Sequence, residues 1–354
     1  MSRGQRFVGR ETEFATLLDA VRAAASGSGG LALVIGEPGI GKTRLASEAA
    51  RIATAESNAV VLWGRCPDAE GAPAFWPWRQ IVRAAREAAL APNALIDVEK
   101  LLTQPLGSAE ASPAQVRFEL FERMASALRC IARHRPLLLI LDDLHWADRS
   151  SVKLLQFLAS EGRSSSLLFL ATFREVEPSA SPDVARLLGE LAGLGLTVPL
   201  RGLTEAEVSE LVADRAGVAP RPQLVRAVYE ATHGNPFYVD EVVRLLVAER
   251  RLHDDGAEGA PLPIPMGVRA GISRRVDALG EPGAAVLAAA AVGGREIDLA
   301  VLARATGMSR DDLLGLLEAA ERLGFARASA GDRVAVRVRP RARPGDALRG
   351  PVPG

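Results

Sequence analysis

The chain has 354 residues, with 43 basic and 43 acidic side chains balancing to a formal charge of zero and apolar residues at 48%. Its length calls for two or three domains rather than one core, and its charge balance excludes a global pull toward nucleic acid or an anionic membrane. No apolar run approaches the roughly 18 residues of a membrane span and no basic-then-apolar leader opens the chain, so a soluble, cytoplasmic protein is expected.

Residues Glu11 to Ala25 place Phe14, Leu17, Leu18, Val21 and Ala24 at helical spacing, and Ser26 to Gly30 reads as a turn. A strand pattern, Leu31 to Ile35, then runs into Gly36-Glu-Pro-Gly-Ile-Gly-Lys-Thr43, with a helical pattern from Arg44 to Ala53 behind it. Strand, glycine-rich loop and helix in that order are the context of a phosphate-binding loop. Gly36, Gly39 and Gly41 let the backbone turn its N–H groups onto a β-phosphate at the positive end of the helix. Lys42 is placed to reach the β- and γ-phosphates, and the Thr43 hydroxyl to ligate Mg²⁺. The expected nucleotide contacts are Gly36, Glu37, Pro38, Gly39, Ile40, Gly41, Lys42, Thr43 and Arg44.

Ala59 to Trp63 suits a second buried strand, and Arg65 to Trp78, with three prolines, a glycine and two tryptophans, reads as irregular. Cys66 and Cys130 lack metal-ligand spacing and read as reduced thiols. A long helix is expected from Ser112 to His134. It is followed by Leu137-Leu-Leu-Ile-Leu141, an apolar run suited to a strand covered on both faces.

That run ends in Asp142-Asp143. Beside a phosphate loop, this is a Walker B arrangement, with Asp142 in the Mg²⁺ shell and Asp143 orienting or deprotonating the attacking water. Asp148 is expected to cap a helix from about Arg149 to Ala159. Leu167 to Ala171 forms another buried strand pattern, leading into Thr172-Phe173-Arg174. Parallel sheets bind ligands at their C-terminal edge, so Thr172 and Arg174 are placed beside a γ-phosphate, which Arg174 would read; the alternative for Arg174 is a surface pair with Glu175.

Helical patterns dominate after residue 180: Val184 to Leu194, Thr204 to Ala216 with Thr204 as N-cap, Gln223 to Thr232, and Phe237 to Ala248 with Pro236 at the first helical position. They suggest a helical lid. His253 to Pro265 reads as a linker. Four further helical patterns (Val268 to Leu279, Ala284 to Ala291, Leu299 to Ala305, Ser309 to Leu323) and a hairpin-like alternation over Phe325 to Val338 suggest a winged helix.

The expected fold class is therefore α/β: a P-loop NTPase parallel sheet with helices on both faces, followed by a helical lid and a winged-helix-like domain. Its divisions are residues 1–180, 181–252, a linker at 253–265, 266–335, and a tail at 336–354. The tail has no core pattern. It reads as a natural disordered segment or as a frameshift, because codons allowed for Val338 to Asp346 can be shifted by one base to give Phe-Ala-His-Ala-Leu-Val-Arg-Glu.

Taken in order, Phe7-Val-Gly-Arg-Glu11, the phosphate loop, Leu141-Asp-Asp-Leu-His-Trp-Ala-Asp148, Thr172-Phe-Arg174 and Gly234-Asn-Pro-Phe-Tyr238 resemble the motifs of STAND-class regulatory ATPases. The resemblance is to the N-terminal region of the large ATP-binding LuxR-type transcriptional regulators. It implies Val8, Gly9, Arg10 and Pro236 near adenine, Arg174 as phosphate sensor, and ATP/ADP with Mg²⁺ as ligands. It also implies slow hydrolysis, an inducer or regulatory protein as partner, and self-association in the ATP state. Such regulators continue into helical repeats and a DNA-reading helix-turn-helix not found in this sequence, so DNA contact is expected only through an absent C-terminal region.

Two other function classes compete. A DNA-binding AAA-type initiator ATPase would use the winged helix, yet Ser309 to Leu323 carries Asp311, Asp312, Glu318 and Glu321 against Arg310 and Arg322, a charge that DNA phosphates repel. A metabolic kinase would need a second substrate constellation, and none is visible.

Overall fold

The computed structural model describes residues 7–68, 72–103, 112–174, 182–249, 251–252, 273, 276–277, 279–293, 296–322, 325–328 and 333–336. It divides into two compact units, one of Met1–Leu203 with Asn235–Phe237 and one of Thr204–Gly234 with Tyr238–Gly354.

The first unit is built on a sheet of β1 (Gly30–Gly36), β2 (Val60–Arg65), β3 (Leu137–Asp142), β4 (Leu167–Phe173) and β5 (Leu196–Leu200). The strands are all parallel and lie in the order β2-β3-β4-β1-β5. Strand side chains alternate between two cores, which is why the central strands read as unbroken apolar runs. Ala32, Val34, Leu138, Ile140, Leu168 and Leu170 pack with α1 (Glu11–Ala25) and α2 (Lys42–Ser57) on one face. Leu31, Leu33, Leu137, Leu139, Leu141, Leu167 and Phe169 pack on the other. Their partners there are α3 (Trp76–Glu87), α4 (Pro92–Thr103), α5 (Pro113–Ala132), α6 (Arg149–Glu161) and α7 (Pro182–Ala192).

Local chemistry sets the helix starts. Ser112 and Gln115 form a capping box on α5, and the Asp148 carboxylate accepts from the N–H groups of Ser150 and Ser151 at the start of α6. Two departures from the sequence reading stand out. The segment read as irregular up to Trp78 turns helical at Trp76, after Phe75 in a left-handed conformation (φ 60°). The helical stretch expected after residue 180 is interrupted by β5, an edge strand whose Leu196, Thr197 and Pro199 are exposed.

In the second unit, α8 (Glu205–Ala216) starts from a Thr204–Glu207 capping box and α9 (Pro222–Thr232) from Arg221. Next comes α10 (Pro236–Ala248), which joins this unit from Tyr238 onward. Then α11 (Gly280–Gly293), β6 (Glu296–Asp298), α12 (Leu299–Thr306), α13 (Arg310–Arg322), β7 (Ala326–Ala328) and β8 (Arg333–Val336) follow in winged-helix order. Their three-stranded sheet runs β6-β8-β7, antiparallel throughout. Its core is Leu279, Val286, Leu287, Leu302, Leu313, Leu317 and Phe325. The His233 and Phe325 rings meet edge-on at 6.1 Å. The linker at 253–265, most of the helix expected at Val268 to Leu279, and the tail from residue 337 lie outside the described residues. No described helix is long and apolar enough to cross a membrane.

Candidate functional site

The phosphate-type loop leaves β1 at Gly36, where a side chain has no room: a Cβ would stand 2.8 Å from the Leu200 carbonyl oxygen. It ends at Gly41 (φ 104°), the N-cap of α2, and no side chain caps that helix. Uncapped first-turn amides at the positive end of a helix form an anion site. Lys42 is buried, and its Nζ donates to the carbonyls of Gly36 (2.9 Å) and Glu37 (2.9 Å). Burial pulls its ammonium down from 10.5 to about 8, helped by the Arg174 charge and opposed by Asp143, Asp142 and Glu37.

The sheet order sets β4 between β1 and β3, and the register Leu141↔Ala171 brings Thr172 beside Asp142. Asp142 is 3% exposed and collects hydroxyls from both sides. Thr43 Oγ1 donates to its carboxylate (3.0 and 3.1 Å to the two oxygens), and Thr172 Oγ1 donates to Oδ1 at 2.6 Å. Thr172 Oγ1 in turn accepts from the Asp143 N–H at 3.0 Å. A carboxylate and a hydroxyl in contact are hard oxygen donors, and they fit Mg²⁺, which takes one or two protein ligands and completes its shell with water and phosphate. Among the described residues no cluster of three or more His, Cys, Asp or Glu side chains could hold a metal ion.

Asp143 sits just past the strand in the left-handed region, at φ 57°. Aspartate is one of the few residues that tolerate it. Burial and the neighbouring Asp142 charge raise its carboxyl, against the opposing charges of Lys42, Arg174 and Arg65. That makes it a better proton acceptor than an ordinary surface carboxylate.

Arg174 has no carboxylate partner among the described residues. Its guanidinium lies over the Trp146 ring, 5.8 Å from the centroid, and its backbone N–H donates to His145 Nδ1 at 3.4 Å. That bond puts the imidazole proton on Nε2, an assignment made from the network. Burial, then the charges of Arg174 and Lys42, push His145 down to about 3, so it stays neutral and takes no acid–base role near neutral pH.

The opening motif also reaches the loop. Gly9 (φ 68°) and Arg10 (φ 67°) turn the chain into α1 beside a buried Val8, and Arg10 Nη2 donates to the Ile40 carbonyl at 3.2 Å. Arg44 lies over Phe7, with 6.0 Å to the ring centroid. Pro236 opens α10 immediately after Asn235, which is bonded to the loop through Pro38.

The structure thus brings Gly36, Lys42, Thr43, Asp142, Asp143 and Arg174 to the C-terminal edge of β1, β3 and β4. Sequence reasoning assigned no role to His145, Trp146 and Asn235. The first two stand inside Leu141–Asp148 and the third beside Pro236, so their motif positions were the available signal.

Cys66 sits behind this edge, its N–H donating to the Asp142 carbonyl at 3.0 Å. Burial, followed by the charges of Asp148, Asp143 and Asp142, pushes its thiol up to about 12. Only the thiolate reacts. Iodoacetamide at pH 8 is therefore expected to label exposed Cys130 and spare Cys66 in the folded protein, and to label both after denaturation, as peptide mass spectrometry would show.

Residues 6–170 match the family model described as AAA ATPase domain. Among solved structures, a Walker-type ATPase of Pyrococcus abyssi is similar at 14% identity over 95% of each chain, with a TM-score of 0.52. The Thermotoga maritima RuvB Holliday junction branch migration motor overlaps more loosely, at 16% identity, 93% of each chain and a TM-score of 0.42. So does Cdc6p from Pyrobaculum aerophilum, at 13% identity, 96% of this chain, 93% of that one and a TM-score of 0.46. Comparison with curated proteins returned no match. The likeness to the Pyrococcus protein is one of fold, that of a P-loop NTPase, and residues 6–170 are similar to the AAA ATPase domain.

Proposed function

We propose that this ATPase domain serves a signal-responsive switch of the STAND class, set by ATP or ADP with Mg²⁺ and reset by slow hydrolysis, in a regulator of the LuxR type. One observation carries the reading: the Thr43 and Thr172 hydroxyls meet on Asp142, so the loop and the carboxylate strand form one site. In this reading Lys42 and the loop amides bind the phosphates, and Thr43 and Asp142 hold Mg²⁺. The ion supplies charge neutralisation and orientation of the phosphates when bound. Asp143 accepts the proton of the attacking water. Val8, Gly9, Arg10 and Pro236 flank the adenine.

A switch requires differential affinity. Moving a two-state equilibrium from 1:99 to 99:1 takes about 5.5 kcal/mol, whereas hydrogen bonds to a charged group contribute about 1.5–3 kcal/mol. Arg174 is the cation placed to distinguish ATP from ADP, and it supplies part of that difference rather than all of it. Replacing it with alanine is expected to cut the preference for ATP over ADP roughly tenfold or more, with ADP affinity unchanged. Calorimetric titration with both nucleotides decides it; an unaltered ratio would remove Arg174 from the sensing role. The inducer and self-association in the ATP state belong to the same reading. Use of the winged helix on DNA is disfavoured by α13, whose Asp311, Asp312 and Glu318 are exposed.

A further inference from the structure

Three consecutive carbonyls at the apex of the phosphate loop are held by donors from elsewhere in the chain. Arg10 takes Ile40 O. Asn235 Nδ2 donates to Pro38 O at 3.0 Å, and the Phe237 N–H donates to Gly39 O at 3.4 Å. Asn235 is 1% exposed and works in both directions, since its Oδ1 accepts from the same Phe237 N–H at 3.1 Å. That pairing also fixes which end of the amide is which.

The loop is shaped to receive this strap. Gly39 has φ 76°, and a Cβ there would stand 2.7 Å from Phe237 Cβ, so glycine is required both by its backbone and by its neighbour. The strap is 197 positions away in sequence and belongs to the same compact unit as the loop.

A peptide group carries its C=O and the following N–H in opposite directions. Holding the carbonyls of Pro38 and Ile40 therefore turns the N–H of Gly39 away from Asn235 and the N–H of Gly41 away from Arg10. A loop with three glycines in six residues has many shapes open to it, and each unproductive shape lowers phosphate affinity by the population it takes.

Resting on the nucleotide-site reading above, we propose that Asn235 is a positioning residue of that site: its amide holds the loop apex in the shape that accepts a polyphosphate. Its contribution appears in phosphate affinity, beyond what it adds to the stability of the fold. The contact is made to the part of the loop common to ATP and ADP binding, so the effect falls on both nucleotides alike. Chemistry at the far phosphate is not its concern.

The test uses the full chain with Asn235→Ala and Asn235→Asp. The second keeps an acceptor for the Phe237 N–H while turning the donor that served Pro38 O into a carboxylate oxygen. Ser151→Ala, which removes a buried hydroxyl bonded to Asp148 on α6, is the control for loss of stability without loss of the strap. In nucleotide-free protein, both Asn235 variants should show faster amide exchange confined to residues 36–43. They should also bind ATP and ADP more weakly by the same factor, roughly fivefold to tenfold, with turnover at saturating ATP unchanged. Ser151→Ala should lower the melting temperature and leave affinity and loop exchange as in the parent. Loop exchange unchanged in both Asn235 variants overturns the proposal whatever the nucleotide result. So does a loss of melting temperature with unchanged affinity. A parent protein that binds neither nucleotide would instead defeat the nucleotide-site reading, while the exchange measurement still decides whether the strap shapes the loop.

Discussion

Lys42→Ala is expected to abolish measurable ATP and ADP binding, with a loss of at least about a hundredfold, while the fold persists. The side chain is buried and its ammonium donates to the loop carbonyls of Gly36 and Glu37, its hydrogen-bond partners among the described residues, so no core packing there depends on the charge. What disappears is the buried cation at the head of α2. A buried ion pair broken by removal of one partner costs about 3–5 kcal/mol, and about 2.7 kcal/mol is already a hundredfold.

The same ammonium gives a pH signature. With its free-state value near 8, Lys42 is protonated below that pH and neutral above it. Only the protonated form pairs with phosphate, and the bound phosphates raise its affinity for the proton. Nucleotide affinity should therefore be flat below pH 8 and fall about tenfold per pH unit above it, until the value in the complex is passed. Equal affinity in parent and Lys42→Ala, or affinity flat from pH 7 to 10 in the parent, would move the site away from this loop.

Much of this architecture was legible because it is local. The strand, loop and helix around Gly36–Thr43, the five-residue apolar run before Asp142, the helix start at Ser112 and the capping positions Asp148 and Thr204 all announce themselves within a few residues. Long-range features do not. That β4 lies between β1 and β3 depends on pairing across 30 residues to β3 (Leu137↔Leu167) and 138 to β1 (Gly30↔Leu168), and the β3 pairing sets Thr172 against Asp142. β5 is hidden because an edge strand need bury only part of its length: Val198 and Leu200 face the core while Leu196 and Thr197 do not. The Asn235 strap pairs positions with no shared pattern at all. The position of Arg174 was legible, but its Trp146 partner was not. It is placed over Trp146 by a turn, and the sequence partner considered for it, Glu175, lies outside the described residues.

Asp143→Asn is expected to keep ATP affinity within about twofold and to lower turnover by roughly a hundredfold to ten-thousandfold, the range of a positioned general base. Asparagine is the informative replacement. Like aspartate it tolerates the left-handed backbone of residue 143, so the turn into Leu144–Trp146 survives, whereas alanine would add strain at φ 57°. Its amide cannot take a proton. The pH profile separates this role from a merely electrostatic one. A base must be deprotonated, so parental kcat/KM should rise with pH through the raised value of Asp143 and fall again above about 8, where Lys42 of the nucleotide-free protein loses its proton. Asp143→Asn should lose the acid limb and keep the alkaline one. Asp142→Asn provides the contrast. It leaves the base in place but weakens the oxygen set shared with Thr43, so its deficit should shrink as Mg²⁺ is raised, while that of Asp143→Asn should not. Undiminished turnover in Asp143→Asn, or a deficit cured by Mg²⁺, would transfer the proton-accepting role to another group on this edge. His145 also stands on this edge, yet with a value near 3 it is too weakly basic to serve.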